Sequence, residues 1–211
     1  MNFATWQGAT RNAGSARPGA RALMAWCLDN YPMARNLGIY NYRPVRGSTS
    51  LSIHAEGRAL DVGFPVVGGQ AHAEGTRLLN QLGARGRELG VQTIIWNRRI
   101  YSARSPYGRT YTGVNPHIDH LHVELTRDAG ERLTTSTIIS ILGGTAPRRV
   151  LRLTTPYMTG EDVKEVQRRV AVAADGIYGP ATKDAVIRFQ RSKGLTADGV
   201  VGAQTWAALG L

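Results

Sequence analysis

Two short, well-separated stretches most constrain what this 211-residue chain can fold into. The first, Ser52 to Asp61, reads S-I-H-A-E-G-R-A-L-D, and the second, His117 to Leu125, reads H-I-D-H-L-H-V-E-L. Together they concentrate imidazoles, carboxylates and a serine in ordered spans. The second alternates polar and apolar residues from His120 onward. Alternate residues of a strand share a face, so His120, His122 and Glu124 are expected on a cleft and Leu121, Val123 and Leu125 on a core. Ala59 to Val62 reads as a short strand too. Gly57 allows a tight approach or a positive φ between His54 and Asp61. Asp119 has the parity of Leu121, so for it to share the cleft with His122 the chain must bend just before His120. Asn115-Pro116 supplies a plausible turn there.

These residue types suit one chemistry well. Zinc takes imidazole nitrogen and carboxylate oxygen, and a catalytic zinc keeps three protein ligands and one open position for water. The metal lowers the pKa of that water to about 7, and a nearby carboxylate can take its proton and pass it to a leaving amine. The chain has one cysteine, Cys27, so a thiolate zinc site is excluded.

The first stretch resembles the S-x-H-x-x-G-x-A-x-D motif of the M15 peptidases, the D-alanyl-D-alanine carboxypeptidase and VanY-type group. D-H-L-H resembles their closing motif, in which an acid lies three residues before the last zinc histidine. The resemblance runs from about Gly38 to Leu125. It implies that His54, Asp61 and His122 hold one Zn2+ per chain and that Asp119 is the general base. It also implies that Ser52 supports the site and that Arg43, in Y-N-Y-R-P, meets a substrate carbonyl or carboxylate. His120 joins them as a cleft-facing catalytic candidate. Many carboxypeptidase members carry Glu as base, and Asp at this position is more similar to the phage endopeptidase branch.

Simpler roles stand beside these. Arg43 can serve a salt bridge or the surface, and Ser52 a turn or a helix cap. Glu56 and Glu124 read as solvated or structural, His117 as an exposed loop residue and His72 as surface. Trp96, Tyr101, Tyr107 and Tyr111 either line a substrate cleft or pack the loop that carries them onto the sheet.

In chain order, residues 1–17 are small, polar and glycine-bearing, and read as a loosely ordered lead-in. Pro18 opens a helix that runs to about Met33. Gly38 to Tyr42 reads as a strand, Arg46 to Ser50 as a polar loop and Phe64 to Gly69 as a turn. Ala71 to Leu89 has helical spacing of leucines, weakened at Gly83 and Gly86. Val91 to Trp96 is a strand that pairs with Arg98 to Tyr101. Ser102 to Pro116 reads as a long loop, and Leu133 to Leu142 as a last helix. The fold class expected for residues 1–143 is α+β, a small antiparallel sheet with flanking helices.

Residues 144–152 have linker composition. Beyond them D-G-I-Y-G-P-A-T, starting at Asp175, is echoed by D-G-V-V-G-A-Q-T, starting at Asp198. Val163, Val166 and Val170 make one face of a helix that Thr159 can cap. A second helix spans about Pro180 to Ser192, with Ala185, Val186 and Phe189 inward and Gly194 as its stop. A third, near Ala203 to Leu209, carries Trp206 and Leu209. The tail, residues 153–211, resembles the peptidoglycan-binding domain 1 family, a small three-helix module with D-G-x-x-G-x-x-T at its turns.

A net charge of +11 favours anionic partners. No basic helix interleaved with aromatics and no zinc finger is present, so nucleic acid is not expected. No run approaches the roughly 20 apolar residues of a membrane span, and the first twenty residues hold no secretory apolar core. The two resemblances imply a monomeric peptidoglycan hydrolase of the phage endolysin kind. Such a protein is made in the host cytoplasm without a signal peptide and acts on the bacterial wall after release. The alternatives are a D-alanyl-D-alanine carboxypeptidase and a catalytically silent wall-binding protein.

Overall fold

The computed structural model describes residues 1–45, 47–144 and 148–211. Arg46, which opens the expected polar loop, and residues 145–147 of the expected linker lie outside the described residues. The chain divides into two compact units, Met1–Pro147 and Arg148–Leu211.

In the first unit, Pro18 fixes the first turn of α1 (Pro18–Asn30), where its missing N–H leaves no helical bond unmade. β1 (Arg35–Gly38) then pairs with β2 (Ala59–Gly63), and between them lies a 3-10 turn at Ile53–Glu56. A two-residue hairpin, β3 (Val66–Val67) and β4 (Gln70–Ala71), precedes α2 (Ala73–Ala84) and α3 (Gly86–Leu89). β5 (Val91–Trp96), β6 (Arg99–Ser102) and β7 (Ser105–Thr110) follow, then β8 (His120–Leu125), α4 (Arg127–Arg132) and α5 (Thr135–Leu142). The main sheet has the order β1-β2-β8-β5-β6-β7 with antiparallel neighbours. It is the expected small antiparallel sheet with flanking helices.

The core lies on one face of that sheet. Leu60, Val62, Ile94, Leu121 and Val123 are fully buried there with Leu23 and Cys27 of α1 and Leu78 and Leu82 of α2. Trp96 closes one end, its ring 5.8 Å from Phe64 and its indole N–H on Thr76.

Several elements differ from the sequence reading. The first strand ends at Gly38, where that reading begins it, and a bulge lies between Asn36 and Gly38. The 102–116 segment contains β7, because Pro106 and Gly108 are tolerated on an edge strand and Tyr101 packs over Gly108. The 71–89 helix breaks at Arg85, between its two glycines. His72 caps α2, its Nδ1 accepting from the Glu74 N–H at 3.2 Å.

The largest departure is the lead-in, which is a strap bonded along the domain. Asn2 N–H meets the Gly83 carbonyl, Ala4 N–H that of Val91, Ala13 N–H that of Ala55 and Arg17 N–H that of Gly57. Phe3 is 5% exposed. A Cβ on Gly86 would stand 2.8 Å from the Asn2 carbonyl oxygen, so the glycine that weakens the helix makes room for the strap. Arg58 anchors it from below. Its guanidinium, 1% exposed as a residue, donates to Glu56 and to the carbonyls of Gln7, Gly8 and Leu125.

The second unit packs α6 (Glu161–Arg169), α7 (Pro180–Ser192) and α8 (Ala203–Leu209) around Leu151, Val163, Val166, Tyr178, Val186, Val201 and Trp206. Residues Arg148 to Leu151 belong to this unit. Leu151 is fully buried and bridged to Val201, and the Trp206 indole donates to the Arg149 carbonyl. Thr159 does not cap α6; Gly160 is its N-cap, and the Thr159 carbonyl accepts from Arg149.

The sequence repeat is a repeat of hydrogen bonds. Gln167 donates to Asp175, Ile177 O and Thr182 and accepts from Gly176 N–H. Gln190 does the same with Asp198, Val200 O, Thr205 and Gly199 N–H. Each buried glutamine thus satisfies a turn whose glycine has positive φ. Among the described residues, no helix is long and apolar enough to cross a membrane.

Candidate functional site

Three local structures bring the two motifs together. Ser52 caps the 3-10 turn, its Oγ accepting from the His54 N–H at 3.3 Å. Gly57 ends the turn at φ 67°, and a Cβ there would collide with the Ser15 carbonyl oxygen of the strap. That glycine therefore serves both the positive φ and the close approach. Past it, β2 lies beside β8 with Asp61 directly opposite His122.

His54, Asp61 and His122 consequently converge, each offering a ligand atom within 4.8 Å of the others. His54 Nε2 lies 3.2 Å from His122 Nδ1 and 3.3 Å from Asp61 Oδ2, and His122 Nδ1 lies 2.9 Å from Asp61 Oδ1. Donors held tetrahedrally about one zinc at ordinary bond lengths stand about 3.4 Å apart, so this triangle is of zinc size.

Ring orientation fits the same ion. His54 Nδ1 lies 2.8 Å from the Ile39 carbonyl oxygen, which can only accept. The proton therefore sits on Nδ1 and Nε2 keeps its lone pair. His122 Nε2 lies 3.3 Å from Glu124 Oε1, so a neutral His122 that donates there presents a bare Nδ1. A ligating histidine commonly donates its other N–H to a carboxylate or a backbone carbonyl, and both arrangements occur here.

Charges follow from this crowding. Burial by itself would raise the Asp61 carboxyl, but the His122 and His54 rings against it hold it well below the carboxylate range. Burial would lower His122, yet its bonds to Asp61 and Glu124 push it up to about 9. Glu124 is likewise lowered by His122 and Gln92 against the effect of burial. Without metal, the cluster is an imidazolium clasped by carboxylates. A divalent cation that displaces that proton adds one net positive charge and so offsets the carboxylate left in excess over the single imidazolium.

The cleft over the cluster has a volume of about 230 Å³, and its lining includes Arg43, Ser52, Tyr111, His117 and His120 beside the triad. Arg43 is half-buried and has no carboxylate partner among the described residues. His120 is 7% exposed, with Nδ1 2.8 Å from Asp119 Oδ1 and Nε2 3.9 Å from Asp61 Oδ1. Asp119 does sit at a bend, but its carboxylate is 57% exposed and reaches the cleft through the His120 ring. Of the four aromatics, Tyr111 lines the cleft, Trp96 is in the core, Tyr101 covers Gly108 and Tyr107 is 88% exposed.

One cleft residue differs from its sequence reading. His117 is 7% exposed, with its ring 4.6 Å from that of His120 and 5.1 Å from that of Tyr111. Burial and the neighbouring imidazoles push it down to about 4, so it is neutral at pH 7. Its φ of 52° turns the ring inward, which no residue pattern announces. Glu124 lines the cleft on the face of His120 and His122, and there the alternation did carry the signal. The Ile39 carbonyl is a backbone group and has no sequence signature.

Comparison with known proteins adds a second line. The family described as VldE, C-terminal domain, matches residues 12–122, and a peptidoglycan binding domain family matches residues 159–209. The N-acetylmuramoyl-L-alanine amidase XlyA of Bacillus subtilis (strain 168) is 46% identical over 63 residues, 24% of this chain and 21% of that protein. The amidase CwlL of Bacillus licheniformis is 36% identical over 75 residues, 30% of this chain and 21% of that protein. The zinc D-Ala-D-Ala carboxypeptidase of Streptomyces albus G is 48% identical over 56 residues, 23% of this chain and 22% of that protein. The chain thus spans about a fifth of the length of these curated relatives. No solved structure matches it.

Proposed function

Since the chain belongs to the VldE C-terminal domain family and matches a peptidoglycan binding domain at its other end, we propose that it is an endolysin-like peptidoglycan hydrolase. The reaction we infer is zinc-dependent cleavage of a peptide bond in the stem peptides or cross-links. The observation that carries this reading is the zinc-sized triangle of His54 Nε2, Asp61 and His122 Nδ1, with each ring's other nitrogen on an acceptor. When bound there, zinc supplies an acidified water and a Lewis acid for the scissile carbonyl.

The remaining residues divide the work. His120 donates Nδ1–H to Asp119 and turns Nε2 toward the cluster, where it can accept a proton and return it to the leaving amine. Asp119, expected as the base itself, supplies that basicity through the ring. Arg43 offers a cation to a substrate carbonyl or carboxylate at the rim. Ser52 holds the His54 turn. The second unit tethers the hydrolase to its insoluble substrate, which makes the catalytic encounter intramolecular.

A second reading follows from the relatives named as amidases, in which the bond cut is the one joining the glycan to the first stem residue. The test is zinc content of the purified chain beside product analysis on walls. About one zinc per chain with new amino termini inside stems or bridges supports the peptidase. New amino-terminal L-alanine supports the amidase reading, and free D-alanine the carboxypeptidase. Activity that survives complete removal of metal would overturn the site.

A further inference from the structure

Glu124 belongs to a buried chain of hydrogen bonds that begins outside both motifs. Its Oε1 faces His122 Nε2 and its Oε2 accepts from Gln92 Nε2 at 3.1 Å. Gln92 is fully buried on β5, the strand beside β8. The same amide nitrogen donates to the Gln7 carbonyl at 3.1 Å, and its oxygen accepts from the Gln7 N–H at 3.0 Å. Gln7 is in the strap, and its own side-chain oxygen accepts from Arg127 N–H.

A primary amide can be seated two ways, and these bonds permit one. Reversing Gln92 would aim its oxygen at the Gln7 carbonyl and at the Glu124 carboxylate, and its NH2 at the Gln7 N–H. The Gln7 backbone therefore selects the orientation that sends a donor to Glu124 Oε2. That bond leaves Oε1 for His122 and makes Nε2 the nitrogen that carries the proton. We propose that Gln92 and Glu124 are positioning residues through which the amino-terminal strap sets the His122 tautomer and so tunes metal affinity. The inference rests on the zinc reading of the His54, Asp61 and His122 cluster.

The test uses the full-length chain with Glu124→Gln, Gln92→Met and, as a strap control away from the relay, Thr10→Val. Thr10 bonds Glu56, not Gln92. Zinc affinity is read by competition with a chromophoric chelator, and ligand geometry by the visible spectrum of the cobalt(II)-substituted chain. In Glu124→Gln the strap bonds stay intact. An amide there that keeps its oxygen on Gln92 presents NH2 to His122 and draws the proton onto Nδ1, the nitrogen the metal needs. Both relay variants are expected to bind zinc about 10- to 100-fold more weakly with an altered cobalt spectrum, and Thr10→Val to leave both unchanged. Glu124→Gln with unaltered affinity and spectrum overturns the relay while the metal site stands. Equal weakening by Thr10→Val shows general loosening of the strap and also overturns it. If the unmodified chain takes up no zinc, the cluster reading fails before any substitution is made, and the relay fails with it.

Discussion

Replacing Glu56 by Gln tests how the strap is held. The Glu56 and Arg58 side chains are 4% and 2% exposed and meet at 2.6 Å, and Glu56 Oε1 also accepts from the Thr10 N–H and hydroxyl. The substitution keeps the shape and removes the charge, which leaves a buried guanidinium without its counter-ion. Breaking a buried pair in this way costs about 3–5 kcal/mol. At about 2–4 °C per kcal/mol for a domain of this size, the unfolding midpoint of the first unit should fall by roughly 6–20 °C at pH 7. The pH dependence has a definite sign. Burial would raise the Glu56 carboxyl, but the Thr10 and Arg58 bonds overcome it and hold the group at about 2, against an ordinary value of 4.5. A depressed carboxyl stabilises fully above its unfolded value and loses that contribution as pH falls toward its folded value. The gap between wild type and variant should therefore be constant above about pH 5 and narrow between pH 4.5 and 2. Calorimetry of the intact chain across this range reads both quantities. A loss under about 1 kcal/mol at pH 7, the level of an exposed pair, or a gap that does not narrow in acid would refute the reasoning.

Three other outcomes follow. His120→Ala should retain zinc and lose about 100- to 10,000-fold in turnover, whereas Asp119→Asn should retain zinc and lose only about 10- to 100-fold; parallel zinc and rate measurements decide, and the reverse order would restore Asp119 as the direct base. Gln190→Leu strands the buried Gly199 N–H, while Asp198 keeps its bond from Val200 N–H and the Thr205 hydroxyl its bond to Val200 O, and at about 1–3 kcal/mol for that one orphan should lower the second calorimetric transition while leaving the first in place. Metal-free chain should take up zinc with release of a proton, because His122 at about 9 is protonated at pH 7; binding should weaken as pH falls, which titration in two buffers of different ionisation heat detects.

What the sequence made legible was whatever has a period or a fixed local geometry. The alternation in His120–Leu125 placed three side chains on the cleft and three in the core, and the doubled D-G-x-x-G pattern marked two turns whose glycines do adopt positive φ. What it hid depends on partners remote in sequence. Residues 2–17 look unstructured because they contribute mainly backbone groups, and their anchor Arg58 sits among the variable positions of a motif. β7 was hidden by Pro106 and Gly108, which argue against a strand everywhere except at a sheet edge. Asp119 was legible as a residue of the site but not as one that reaches it through a neighbouring ring, since side-chain direction at a bend does not follow parity.

The pairing of Asp61 with His122 across β2 and β8 also bears on how the sheet assembles. A slip of one residue would turn every side chain of β2 to the opposite face. Asp61 would enter the layer of Leu121 and Val123, Leu60 and Val62 would face water, and a carboxylate would be stranded in hydrocarbon. Only one alignment satisfies both the grease and the charge. The pair that would grip a cation thus acts earlier in the life of the molecule, as the mark by which two distant segments find their correct offset.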